Sequence, residues 1–158
     1  MCRETGKLGN DDEISRRQIS FHEAGHAVVG EALGLKVGTL RILTEGDGTA
    51  TISSATHLPV PDQIAICVAG WVGAELGRYP YQSLDSPELI TDRVRAECLA
   101  ASVLGGEHTD ADELAVRTML HEGAHKAREL ISKHRSRFDE IAEALFRDGN
   151  LSLDGTNS

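Results

Sequence analysis

Aromatic residues are scarce. Three Phe, one Trp and two Tyr make up 4% of the 158 residues, so a core here must be built from aliphatic side chains and alanine. Cysteine is nearly absent too. Cys2, Cys67 and Cys98 form an odd set with no CxxC spacing, which argues against a disulfide scaffold and a cysteine zinc site and fits a reducing cytoplasm. Positive charge is in deficit: 16 Lys+Arg against 25 Asp+Glu give −9. A surface that repels phosphates is a poor nucleic-acid binder. No apolar run approaches the ~20 residues of a membrane span, and the polar start Met1–Asp12 has no apolar stretch of a signal peptide. The phosphate-loop pattern GxxxxGK[ST] is missing, and there is no internal repeat. What is present is ordinary for one globular domain: 40% hydrophobic and 26% charged residues, in a chain long enough to bury a core unaided.

The periodicity predicts a mainly α domain. Residues 1–11 read as a flexible polar arm broken by Gly6, Gly9 and Asn10, with a helix starting behind Asp11 or Asp12 as cap. Ile14, Ile19, Phe21, Ala24, Val28, Val29 and Leu33 recur at helical spacing, and Gly34 reads as the stop. Gly25 and Gly30 inside that helix suggest close packing or approach to a ligand. Val37–Thr44 and Thr49–Ala55 alternate around Gly46-Asp47-Gly48 as a hairpin. Pro61–Leu76 is an almost wholly apolar helix, and therefore buried on most sides. After a loop with Pro80 and two tyrosines, Ser86-Pro87-Glu88 reads as the cap of a helix running to Leu104 and stopped by Gly105-Gly106. Thr109 caps the last long helix, with its acidic first turn, which runs to about Asp148 with room for a break. The domain is read as 12–149, with 150–158 a polar tail.

His-Glu-x-x-His occurs twice, at His22-Glu23-Ala24-Gly25-His26 and at His121-Glu122-Gly123-Ala124-His125. Residues i and i+4 share a helix face, so both imidazoles can reach one zinc ion, and the intervening Glu can accept a proton from water on that ion. The pattern alone does not choose between the copies. The first is embedded in apolar sequence, and its face continues to Val29 and Leu33. Buried imidazoles need a partner, and a metal supplies one; the alternative is a pair of hydrogen-bonded core histidines. The second lies beside the apolar stripe Leu120, Ala124, Ala127, Ile131, Phe138, Ile141 and Leu145, on a line through Arg128, Ser132 and Arg135. That is a solvated face, and the second pair reads as surface histidines.

A catalytic zinc usually takes three protein ligands. Candidates for the third are His57, Glu75, Asp85, Asp92, His108, Asp110 and Asp112. Asp92 ranks first because it is the one charged member of the stripe Leu89, Asp92, Ala96, Leu99 and Val103, and a carboxylate on a buried stripe needs a cation. An ion pair with Arg93 or Arg95 would also serve. Asp110 is held in reserve, since Asp110 and Asp112 are sufficiently explained as capping and dipole residues. Glu75 could accept a hydrogen bond from a ligand histidine or sit in a buried ion pair.

These residues resemble the zinc peptidase domain of FtsH-type proteases. The likeness rests on Phe21-His-Glu-Ala-Gly-His-Ala-Val-Val29, on the following hairpin, on Ala69-Gly70-Trp-Val-Gly-Ala-Glu75-Leu76 at the end of an apolar helix, and on Thr91-Asp92-Arg-Val-Arg-Ala96-Glu-Cys-Leu99-Ala100. The run Lys126–His134, with Phe138 and Ile141–Leu145, is similar to that family's last helix. The resemblance implies an α-helical zincin-like fold with a small sheet after the motif helix. It implies Zn2+ held by His22, His26 and Asp92, with Glu23 as general base in peptide-bond hydrolysis. Substrates would be peptides or unfolded proteins, paired with the hairpin edge. With no ATPase module or anchor in the sequence, the expectation is an ATP-independent cytoplasmic enzyme, with monomer, dimer and ring all open. The rival expectations are a non-catalytic adaptor that keeps the metal-binding fold and a zinc hydrolase of non-peptide amides.

Overall fold

A computed structural model describes residues 5–44, 47–105 and 110–154. It is mainly helical, as expected. Among the described residues five α-helices, α1 (Thr5–Ala32), α2 (Val60–Leu76), α3 (Ile90–Leu104), α4 (Asp110–Lys133) and α5 (Arg135–Asp148), accompany three strands, β1 (Val37–Thr44), β2 (Asp47–Ile52) and β3 (Asn150–Ser152). Among the described residues no helix is long and apolar enough to cross a membrane.

The apolar helix α2 is central. Ile64, Ala65, Val68, Ala69, Trp71, Val72 and Ala74 are all buried, because α1, α3 and α4 cover it on different sides. Its crossing with α1 is a backbone-to-backbone contact. A Cβ on Gly25 would lie 2.3 Å from the Ala69 carbonyl oxygen, and one on Gly73 would lie 2.4 Å from the Phe21 carbonyl oxygen. Glycine on both helices is what lets the motif helix lie this close, one of the two roles expected for Gly25. Gly30 meets only the side chains of Val37 and Ile52, at ordinary contact distance.

Several boundaries differ from the sequence reading. The helix begins at Thr5 rather than behind Asp12, so Asp11 and Asp12 are interior residues and not caps. A helix already nucleated by its buried half extends at little cost, and this outweighs the weak propensity of Gly6, Gly9 and Asn10. The 150–158 tail is not all tail: β3 pairs antiparallel with β1, Leu151 opposite Leu40, giving the sheet order β2-β1-β3. Its carrier α5 is turned back by Gly149, at φ 71°. Asp47 and Gly48, expected in the turn, belong to β2, which ends at Ile52 instead of running to Ala55; Gly46 lies outside the described residues. Ser86 makes no side-chain cap. Residues 87–89 form a 3-10 turn, and α3 starts at Ile90, which puts Asp92 in its first turn. Leu89, Ala96 and Ala100 form the buried side of this segment, while Val103 is 57% exposed. The buried stripe thus passes from Ala96 to Ala100 rather than on to Val103, as the 3.6-residue period requires over several turns. Gly106, His108 and Thr109 lie outside the described residues. The last helical run is broken at His134, whose φ of −111° and ψ of 36° leave the helical region. Phe138, Ile141 and Leu145 are buried beyond the break, in line with Leu120, Ala127 and Ile131 before it.

Candidate metal centre

Residues 19–30 of α1 lie between α2 and the sheet, and this buries the face carrying the motif. His22 and His26, one turn apart, are 6% and 9% exposed. Their Nε2 atoms are 3.1 Å apart. Asp92 reaches in from the first turn of α3 and sets Oδ2 3.0 Å from both nitrogens. Three ligand-type atoms from two helices thus converge on one point, and the group could hold a metal ion. Their separations are slightly shorter than the ~3.3 Å between ligands around a tetrahedral ion with bonds of about 2.0–2.1 Å, so small outward shifts would suffice to admit one.

The opposite wall is α2. A Cβ on Gly70 would lie 2.4 Å from His22 Nε2 and 2.6 Å from His26 Nε2. Only glycine leaves room there for both rings. The outer ring nitrogens are also engaged. His26 Nδ1 lies 2.8 Å from the Ile66 carbonyl oxygen. A carbonyl only accepts, so this nitrogen carries the proton and a neutral His26 presents a bare Nε2 to the cluster. His22 Nδ1 lies 2.8 Å from the Tyr81 hydroxyl.

Charge at this point is strongly coupled. Burial alone would raise the Asp92 pKa, but the adjacent His26 and His22 hold it far below the usual carboxylate range. Burial alone would lower His26, but the charge of Asp92 and its hydrogen bond lift it to about 9. A proton between these groups therefore supplies the positive charge that an ion would otherwise supply. Glu23 is 5% exposed, and its pKa is raised, chiefly by burial, with His26 and His22 opposing and Asp92 and Asp47 adding to the rise.

The cluster opens into a cavity of about 430 Å³ between α1, β2 and α3, with Glu23, Gly48, Ala50 and Arg95 among its walls. β2 is an edge strand of the sheet. Gly48 brings it against the motif helix: a Cβ there would lie 2.6 Å from Ile19 Cγ2 and 3.0 Å from Glu23 Oε1.

Sequence reasoning named the three clustered residues and Glu23. The other candidates lie elsewhere. Glu75 is exposed and pairs with Arg128 at 2.5 Å, so it neither supports a ligand histidine nor forms a buried ion pair. Asp85 pairs with Arg93. His57 is exposed, and Asp112 is not in the group. The side chains of His108 and Asp110 lie outside the described residues. His121 and His125 are exposed as expected, and His125 pairs with Glu129 at 3.3 Å. Tyr81 and the space-making role of Gly70 were not foreseen. A tyrosine in a loop carries no periodic signal, and the glycine's role appears only where two helices cross. Compared with protein-family models and with curated proteins, the chain matches none.

Proposed function

We propose that the protein is a zinc-dependent metallopeptidase of the FtsH type. The observation that carries this reading is the placement of Glu23: a buried carboxylate, beside a two-imidazole, one-carboxylate cluster, on the wall of a cavity flanked by an edge strand. His22, His26 and Asp92 would hold the ion. Two imidazoles and a carboxylate suit zinc as they suit iron(II); the Glu inside the His-Glu-x-x-His pattern favours the zinc reading. When bound, zinc supplies Lewis acidity: it acidifies water to a pKa of about 7 and draws electron density from a carbonyl oxygen.

The chain's own residues do the rest. Glu23, buried beside the clustered side chains, accepts the proton of the attacking water and passes it to the leaving amine. Its neighbour Gly48 keeps β2 close enough for a peptide added to that edge by backbone pairing to lie across the cavity. Such binding reads main chain, which suits extended peptides or unfolded proteins.

The test is Glu23→Gln. The variant should load zinc like the wild type and lose peptide hydrolysis by about 10²-fold or more. Hydrolysis that persists in the variant refutes the role of Glu23. A zinc-loaded wild type that leaves unfolded proteins and peptide libraries intact refutes the peptidase reading in favour of a non-catalytic adaptor.

A further inference from the structure

The geometry points to Tyr81 as a positioning residue for the metal centre, one that holds His22 in the tautomer and orientation that present Nε2 to the ion. This rests on the metal-binding reading above. The Tyr81 hydroxyl lies 2.8 Å from His22 Nδ1, and its ring meets the imidazole edge-on, centroids 5.7 Å apart at 85°. With Nε2 committed to a metal, Nδ1 carries the proton and donates it to the Tyr81 oxygen. The two ligand histidines are then fixed by different means. A backbone carbonyl of α2 holds His26, and a side chain from a loop holds His22.

That loop is itself held by side chains of α1. The Gln18 side-chain amide donates to the carbonyl oxygens of Tyr79 (3.0 Å) and Pro80 (3.1 Å). The Phe21 ring stacks on Tyr79, centroids 5.9 Å apart at 17°. It also lies directly against Gly77, where a Cβ would be 2.2 Å from Phe21 Cγ. Arg78 takes a φ of 68° to make the turn, a conformation that needs support from its surroundings. Gln18 stands one turn before His22 on the same helix. The motif helix thus anchors a loop, and the loop returns a hydroxyl to orient the motif's first histidine.

The test measures zinc affinity and the imidazole N–H protons of the zinc-loaded protein by NMR. Tyr81→Phe should weaken zinc binding about 10- to 100-fold. It should also lose the His22 Nδ1 proton signal to solvent exchange, while the His26 Nδ1 proton, bonded to the Ile66 carbonyl, persists. Gln18→Ala, which leaves the hydroxyl but releases the loop, should shift both readouts in the same direction by a smaller amount. Unchanged affinity and an unchanged His22 signal in Tyr81→Phe overturn the inference while leaving the metal reading intact. A wild type that takes up no zinc overturns both.

Discussion

Adding a single methyl group at Gly70 is the sharpest test of the proposed centre. The Cβ of Gly70→Ala would fall 2.4 Å from His22 Nε2, 2.5 Å from His22 Cε1 and 2.6 Å from His26 Nε2. Comfortable contacts are about 3.5 Å or longer, so the rings must retreat by on the order of 1 Å. The helix cannot back away instead, since α3 and α4 pack on its other sides. Metal–ligand distances tolerate only about 0.2 Å of error. Zinc affinity should therefore fall by at least ~100-fold, about 2.7 kcal/mol. Stability of the metal-free protein gives an independent sign. Alanine in a helix interior is worth roughly 0.5–1 kcal/mol over glycine, but overpacking costs about 1–3 kcal/mol. The clash should win, lowering Tm by roughly 2–4 °C per kcal/mol in a domain of this size. Competition titration against a chromophoric chelator and thermal melts of the metal-free protein read both quantities. A variant with raised Tm and wild-type zinc affinity would refute the geometry of the centre.

Other outcomes follow from the same site. Asp92→Ala should abolish stoichiometric zinc uptake, measured by metal analysis after gel filtration, and Asp110→Ala should leave it unchanged. The reverse pattern would show that the third ligand was misassigned. The double variant His121→Ala/His125→Ala should keep full zinc content, because both side chains face solvent; loss of zinc would move the site to α4. Zinc binding must displace the proton that Asp92 holds on His26, whose pKa is raised to about 9. Apparent affinity should therefore rise by up to about tenfold per pH unit between pH 6 and 8 and level off above about 9, and a flat isothermal-titration profile over that range contradicts the coupling. Without metal the sign is opposite. His26 has a folded pKa above its ordinary value of 6.5, so its contribution to stability is complete below about pH 6.5 and is lost as pH rises through about 9. Chelator-treated protein should melt at a lower temperature at pH 9.5 than at pH 6.5.

Much of this architecture is legible in the residues. The near absence of a polar face marks α2 as buried, and the 3.6-residue pattern separates the two His-Glu-x-x-His copies by their faces: the first points into packed sequence, the second along a line through Arg128, Ser132 and Arg135. One helical turn between His22 and His26 fixes their pairing, because i and i+4 share a face wherever the helix lies. Ranking Asp92 first needed only the observation that a charge on an apolar stripe demands a partner. Features that depend on distant segments carry no such local signal. Glu75 sits in an apolar helix yet faces outward to Arg128, and the helix start at Thr5 and the strand at Asn150 have no strong local signal.

The sequence by itself therefore determined the helical class, which His-Glu-x-x-His copy faces the interior and the chemical types of the side chains clustered there, since these follow from short-range periodicity and from the cost of burying a lone charge. Only the tertiary structure decided that Asp92, 66 positions beyond His26, meets both imidazoles at 3.0 Å. It also decided that Gly70 makes the space they occupy and that Tyr81 closes over His22. Each of these depends on how closely two backbones approach at a crossing, a quantity set by the packing of the whole domain.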